Sequence, residues 1–157
     1  MTNIHVTTFI LAPPERVFDL SRNTSIYKAV LKDRKESFSS GAGAALIASG
    51  ETITFNARHL GKTRMMTARL IEMERPKCFA EEQVKGDLKS FRLESHFKEV
   101  ENGTILINIL HFEGPRDFLG SLIAKFYLKS YLEKFLLKRN AVIKQYAESD
   151  KWKAVLN

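Results

Sequence analysis

The chain has 157 residues, 44% of them hydrophobic and 27% charged, with 25 Lys and Arg against 18 Asp and Glu for a formal net charge of +7. These values fit one ordinary globular domain with its own core and exclude a disordered, collagenous or disulfide-stapled chain. A lone cysteine, Cys78, excludes an intrachain disulfide, and no apolar run nears the ~20 residues that cross a bilayer as a helix.

Residues 3–11 alternate, with Ile4, Val6, Thr8 and Ile10 on one side and His5, Thr7, Phe9 and Leu11 on the other, the period-two pattern of a strand. This opening lacks the basic flank, long apolar run and small-residue cleavage site of a secretory signal, so a cytoplasmic, reducing location is expected. Ala12-Pro13-Pro14-Glu15 breaks the strand. Pro14 suits the first turn of a helix, where its missing N–H is no loss, and Val17, Phe18 and Leu20 give that short helix an apolar stripe. Asn23-Thr24-Ser25 supplies capping residues for a second short helix through Leu31.

Lys35–Phe38 reads as a short strand and Gly41-Ala42-Gly43-Ala44-Ala45 as a turn. The turn lacks the Gly-Lys-Ser/Thr ending of a phosphate loop and the flanking strand and helix of a dinucleotide fingerprint, and no cofactor is expected. Five β runs come next: Thr52–His59, Thr63–Met73, Cys78–Val84, Ser90–Val100 and Thr104–Glu113. The breaks between them, Leu60-Gly61-Lys62, Arg75-Pro76-Lys77, Gly86-Asp87 and Glu101-Asn102-Gly103, are too short for parallel crossovers and predict an antiparallel meander. Gly114-Pro115 ends the sheet.

From Asp117 to Ala147, Phe118, Leu122, Phe126, Leu128, Leu132, Phe135, Leu136, Val142, Ile143 and Tyr146 recur at helical spacing. One amphipathic helix of roughly thirty residues would span about 45 Å and lie across the whole sheet. Lys125, Lys129, Lys134, Lys138, Arg139 and Lys144 read as its solvated side, continued by Lys151 and Lys153 beyond its end, with contact to an anionic surface a weaker alternative. The expected organisation is a single domain over residues 1–148 and a C-terminal tail over 149–157.

A twisted meander curls, and a helix laid into its concave side meets the sheet better at its ends than in its middle. This leaves room for an apolar pocket. Ile105, Ile107 and Ile109 oppose Leu106, Leu110 and Phe112 on the last strand, so alternation by itself leaves the inward side open. The expected state is a monomer or a homodimer, with an exposed outer face bearing the three isoleucines as the feature that would favour the dimer.

Several segments in this order carry a family likeness: Phe9-Ile10-Leu11-Ala12-Pro13-Pro14-Glu15-Arg16-Val17-Phe18-Asp19-Leu20, Phe55-Asn56-Ala57-Arg58-His59-Leu60-Gly61, and Arg75-Pro76-Lys77-Cys78-Phe79-Ala80-Glu81-Glu82. Lys85-Gly86-Asp87-Leu88-Lys89-Ser90-Phe91 and Phe112-Glu113-Gly114-Pro115 with Leu119-Gly120 continue it. With these pieces nearly the whole chain resembles the START-related or SRPBCC superfamily, which includes the birch-pollen allergen, lipid-transfer domains and polyketide aromatase/cyclases, and within it small bacterial ligand-binding members. The resemblance implies an α+β helix-grip fold: a curved antiparallel sheet of about seven strands around one long C-terminal helix, with two short helices after the first strand. It also implies an inner wall of Phe55, Ala57 and His59, of Met66, Ala68 and Leu70, and of Phe79, Glu81 and Gln83. Phe91, Leu93, Ser95 and Phe97 continue that wall, then Thr104, Leu106, Asn108, Leu110 and Phe112, with Arg64, Leu122 and Phe126 completing the ligand-binding set. Relatives often place histidines where this chain has Leu93 and Ser95 and an aspartate at Asn108, a departure that weakens catalysis and leaves binding intact.

General acid/base work needs a titratable group in a dry pocket, and Glu81 and His59 are the candidates, with Arg64 as an anchor for an anionic or carbonyl group. No nucleophile elbow or HExxH motif is present, and His5, His59, His96 and His111 are too scattered to suggest a metal site. Aromatic residues occur without any nucleic-acid-binding pattern, and no nucleic-acid partner is expected. Cys78 beside Lys77 reads as a small buried hydrophobe more than a reactive thiolate. The leading expectation is a carrier or sensor enclosing a lipid-like, polyketide-like or isoprenoid molecule. The alternatives are a cyclase or dehydratase working through Glu81 or His59, and an interaction module using the basic helix.

Overall fold

The structure, a computed structural model, describes residues 1–32, 36–41, 44–59, 61–115, 117 and 121–156, with His59 described by its backbone alone. The first strand, β1 (Thr2–Ile10), ends where the prolines begin, and α1 (Pro14–Ser21) starts on Pro14. Asn23 caps α2 (Thr24–Leu31), its Oδ1 accepting from the Ser25 N–H at 2.8 Å. The strand expected from Lys35 is β2 (Glu36–Ser40); Lys35 itself, and Ala42 and Gly43 of the expected turn, lie outside the described residues. The meander is β3 (Thr52–His59), β4 (Lys62–Glu74), β5 (Cys78–Gly86), β6 (Leu88–Val100) and β7 (Gly103–Pro115).

All neighbours are antiparallel, in the order β1-β7-β6-β5-β4-β3-β2, so the first strand pairs with the last of the meander. Val100 faces Gly103 across a turn of Glu101 and Asn102, with Asn102 at φ +64°. Glycine is required just beyond it, because a Cβ at Gly103 would come within 2.4 Å of the Ile10 carbonyl oxygen. Register shifts between Thr67 and Ala68 and between Ile71 and Glu74 bend β4 against β5, which raises the local twist and curls the sheet.

Burial settles which side faces in. Thr104, Leu106, Asn108, Leu110 and Phe112 are buried, whereas Ile105, Ile107 and Ile109 are half-buried on the outer face. The concave side is filled by α3 (Leu122–Ala147), which is shorter than expected because Ser121 caps it, its Oγ accepting from the Ala124 N–H. Of the residues in which the sequence suggested an earlier start, Phe118, Leu119 and Gly120 lie outside the described residues. The end of α3 is tied to β1: Glu148 Oε2 accepts from the Leu11 N–H at 2.8 Å, and Lys144 Nζ donates to the Phe9 carbonyl at 2.7 Å.

Residues 149–157, read as a tail, carry a further short helix, α4 (Trp152–Leu156). It docks on the rest of the domain, with the Arg16 guanidinium 4.1 Å over the Trp152 ring and the Asn23 Nδ2 donating to the Val155 carbonyl at 3.0 Å. Two apolar clusters share the concave side. One joins Phe18, Tyr27, Ile53, Leu70, Phe79, Phe97 and Ile143 beneath the short helices; the other joins Ile4, Val6, Phe91, Leu93, Leu110 and Phe112 to Leu128 and Leu136 of α3.

Candidate functional site

A belt of buried polar side chains separates the two clusters, at the level of Arg139 and Asn140 on α3. Arg139 is only 3% exposed. Its Nη1 donates to Glu81 Oε2 at 3.0 Å and Oε1 at 3.3 Å, and its Nη2 to the Ser21 carbonyl and to the Tyr27 hydroxyl, both at 2.7 Å. Tyr27 in turn donates to Glu81 Oε1 at 2.7 Å. Burial holds the Tyr27 phenol well above its ordinary range, so it keeps the proton it donates. Burial is the largest single influence and works against the Arg139 cation, but the charge of Glu81, the contact with Tyr27 and the hydrogen bonds to both together prevail and raise the guanidinium. Beside this triad, Asn140 Nδ2 donates to Thr8 Oγ1 at 3.0 Å and Asn108 Oδ1 at 2.7 Å, and Asn108 Nδ2 donates to Ser95 Oγ at 3.0 Å.

Above the belt, between β3 to β7 and the middle of α3, lies a mostly apolar pocket that leaves about 90 Å³ for the centres of water-sized spheres. It is walled by Phe55, Ala57, Met66, Ala68, Phe91, Leu93 and Leu110 from the sheet and by Leu128, Tyr131, Leu132, Phe135 and Leu136 from the helix. Glu81 and Arg139 form its inner end, and Glu36, Arg64, Met65, Asp87 and Leu88 complete the lining. Arg64 is buried, its Nη1 3.3 Å from Asp87 Oδ2 and its Nη2 3.3 Å from Asp117 Oδ2, and these carboxylates already balance its charge. The Arg64 hydrogen bond holds the Asp117 carboxyl below its usual value. Two wider hollows, around Arg16 and Trp152 and around Lys62 and Gly86, are open and polar.

The structure brings together nine of the expected ligand-binding residues: Phe55, Ala57, Arg64, Met66, Ala68, Glu81, Phe91, Leu93 and Leu110. Others point inward without reaching the pocket. Leu70, Phe79 and Leu106 are consumed by packing under α1, where Phe79 stacks on Phe97 and meets Phe18 edge to face. Phe112 packs in the second cluster, and Ser95 and Asn108 belong to the polar belt. Gln83 clamps the β5–β6 turn, its Nε2 donating to the Leu88 carbonyl at 2.8 Å. The side chain of His59 lies outside the described residues.

Leu122 and Phe126 are a correction: they are 68% and 66% exposed, on the outer side of α3. The inward stripe runs through Ala124, Leu128, Leu136, Arg139, Asn140, Ile143 and Ala147. Phe126 lies two residues from both Ala124 and Leu128, a rotation of about 200° at 3.6 residues per turn, and so faces away. Arg139, read as part of the solvated face, is the opposite correction. It falls three residues after Leu136 and four before Ile143, a spacing that places it on the buried stripe. Tyr27 went unnoticed because nothing local to α2 signals a partner on β5.

As an acid or base Glu81 is already engaged, with both oxygens held by Arg139 and one by Tyr27. Burial and then the charge of Glu74 push the Cys78 thiol up, against the direction that would make it a reactive thiolate. Among the described residues there is no group of three or more His, Cys, Asp and Glu side chains placed to hold a metal ion, and no helix long and apolar enough to cross a membrane.

No protein-family model and no curated sequence matches the chain. Solved structures do. TTHA0849 from Thermus thermophilus superposes with a TM-score of 0.72 at 20% identity, over 90% of this chain and 97% of that one. Major latex-like protein 151 from Panax ginseng gives 0.68 at 13% identity, over 94% and 98%. The di-domain ARO/CYC protein BexL of the BE-7585A biosynthetic pathway gives 0.73 at 13% identity, over 94% of this chain and 50% of that one. Identities this low speak for the fold alone, and with the sheet order, the two short helices after β1 and the long α3 they lead to one conclusion: the chain has the helix-grip fold.

Proposed function

We propose that the chain binds a small hydrophobic molecule in the pocket between sheet and α3, as a carrier or sensor. One observation carries this reading: the space left over the polar belt is walled mostly by aliphatic and aromatic side chains, while Glu81 and Arg139 at its inner end are already hydrogen-bonded within the protein. An apolar ligand entering there gains about 25 cal/mol per Å² of surface removed from water, and meets few groups that would lose a water on its arrival. The pocket is compact. Its room is of the order of engineered cavities that take a benzene ring, which supports a ring or short chain at depth and any longer portion leaving past Met65 and Leu88. The engagement of Glu81 supports retention of a ligand over its conversion.

Native mass spectrometry of freshly purified protein, followed by solvent extraction, tests this without assuming the ligand. The expected result is a copurifying molecule, or else saturable binding of the uncharged fluorophore N-phenyl-1-naphthylamine. Replacing Leu93 by Trp, which fills the pocket from the sheet side, is expected to weaken that binding at least tenfold. Absence of both a bound molecule and saturable binding would overturn the reading.

A further inference from the structure

The inner end of the pocket carries a charge balance that says what kind of ligand belongs there. Glu81 and Arg139 are each 3% exposed and are paired at 3.0 Å, so the deepest cation already has its anion. Both terminal nitrogens of Arg139 are committed within the protein, to Glu81, Tyr27 and the Ser21 carbonyl. Every contact Glu81 makes is with a donor, as a carboxylate requires, and its two oxygens offer about four lone-pair positions. Oε2 accepts one hydrogen bond, from Arg139, against two at Oε1, and Glu81 lines the pocket's inner end. The other cation of the lining, Arg64, is held by Asp87 and Asp117. The lining as a whole sets two cations, Arg64 and Arg139, against three carboxylates, Glu36, Glu81 and Asp87.

Resting on the ligand-binding reading, we propose that the pocket selects uncharged, hydroxyl-bearing aromatic or alicyclic molecules, whose O–H donates to Glu81, and rejects their carboxylate counterparts. A carboxylate at this depth has to share one guanidinium with Glu81, placing two like charges together away from water. An ether or hydrocarbon of the same shape fits but leaves the open lone pair of Glu81 without a partner. Selection by an open acceptor also obeys the general asymmetry of recognition, in which a site built for a hydroxyl penalises the analogue lacking it.

The test uses the intact chain and three ligands sharing one ring system: 2-naphthol, 2-methoxynaphthalene and 2-naphthoate, titrated by calorimetry at pH 7.5. The expected order places 2-naphthol first, the ether about tenfold weaker and the naphthoate at least about 100-fold weaker. Glu81→Gln removes the negative charge and leaves Arg139, and is expected to narrow or invert the gap between naphthol and naphthoate. Should that variant fail to fold, the wild-type order still decides. Naphthoate binding as tightly as naphthol, or a carboxylate recovered by extraction, overturns this inference while leaving the pocket reading intact. Equal binding of naphthol and the ether removes the role of Glu81 as acceptor. Loss of all three, together with N-phenyl-1-naphthylamine, overturns both.

Discussion

Arg139 stands where Leu132, Phe135, Leu136 and Ile143 mark the inward side of α3, and an arginine is tolerated there because a carboxylate, a phenol and a backbone carbonyl close around it. Such a buried pair is weak evidence for stability in itself, since desolvating both ions offsets much of their attraction. Removing one partner is a different matter. Arg139→Met leaves Glu81 charged and unpaired and is expected to cost about 3–5 kcal/mol, whereas Arg139→Met combined with Glu81→Gln, which leaves no buried charge, recovers a large part of that loss. Denaturant unfolding of the two single variants and the double variant checks this; additive losses would show that the pair is not coupled. The spacing of residue 139 was legible in the sequence and its charge misdirected the reading. Nothing in the sequence linked it to Tyr27, which lies 112 residues away.

At the scale of the element, α3 illustrates why hydrophobic periodicity can find a helix and still misplace its inner face. Its first turns carry Leu122, Ile123, Phe126 and Tyr127 outward as well as Ala124 and Leu128 inward, so two apolar stripes overlap and the average over the helix shows little preference. The inner stripe is identified only by what it touches. Leu136, 1% exposed, belongs to it, and Leu136→Ala is expected to cost about 2–5 kcal/mol. Phe126→Ser, on the exposed side, is expected to change stability by no more than about 0.5 kcal/mol and to leave ligand binding unaltered. Thermal melts with N-phenyl-1-naphthylamine titrations on both variants check the contrast, and a strong loss in Phe126→Ser would place that side chain in contact after all. The strands were easier to read, because short connections force antiparallel neighbours whatever the side chains. Which face of β7 turned inward was undecidable from two apolar sides and was settled by the curl of the sheet around α3.

For the molecule as a whole, several contacts between distant elements are made by carboxylates. Burial alone would raise Asp19, but hydrogen bonds from Arg75 and Arg22 prevail and hold it below its ordinary 3.8, joining α1 to the β4–β5 turn. The Leu11 N–H, then Lys144, holds Glu148 below its ordinary 4.5, joining the end of α3 to the end of β1. A carboxyl depressed in the folded state binds its proton more readily when unfolded, so its contribution is complete above the ordinary value and is lost as pH falls through the folded one. Stability is therefore expected to decline as pH drops below about 4.5, and Asp19→Asn is expected to flatten the part of that decline below about 3.8. Denaturant midpoints measured from pH 6 to pH 2.5 on both proteins check this, and parallel curves would remove Asp19 from the acid response.

By itself the amino-acid order determined the run of elements as far as the long helix α3, and with it the antiparallel meander, because these arise from local spacing, prolines, caps and connection length, whereas α4 was read as a tail. It also carried enough of a family likeness to anticipate the helix grip and half of the pocket wall. Only the tertiary structure decided which inward residues are used up by packing, as Leu70, Phe79 and Leu106 are, and which are left to face open space. It alone closed Arg139, Glu81 and Tyr27 into one neutral cluster and turned Leu122 and Phe126 outward. The physical reason is the same in each case: a side chain's chemistry is written in the chain, whereas its partners depend on how the sheet curls and how the helix is rotated against it.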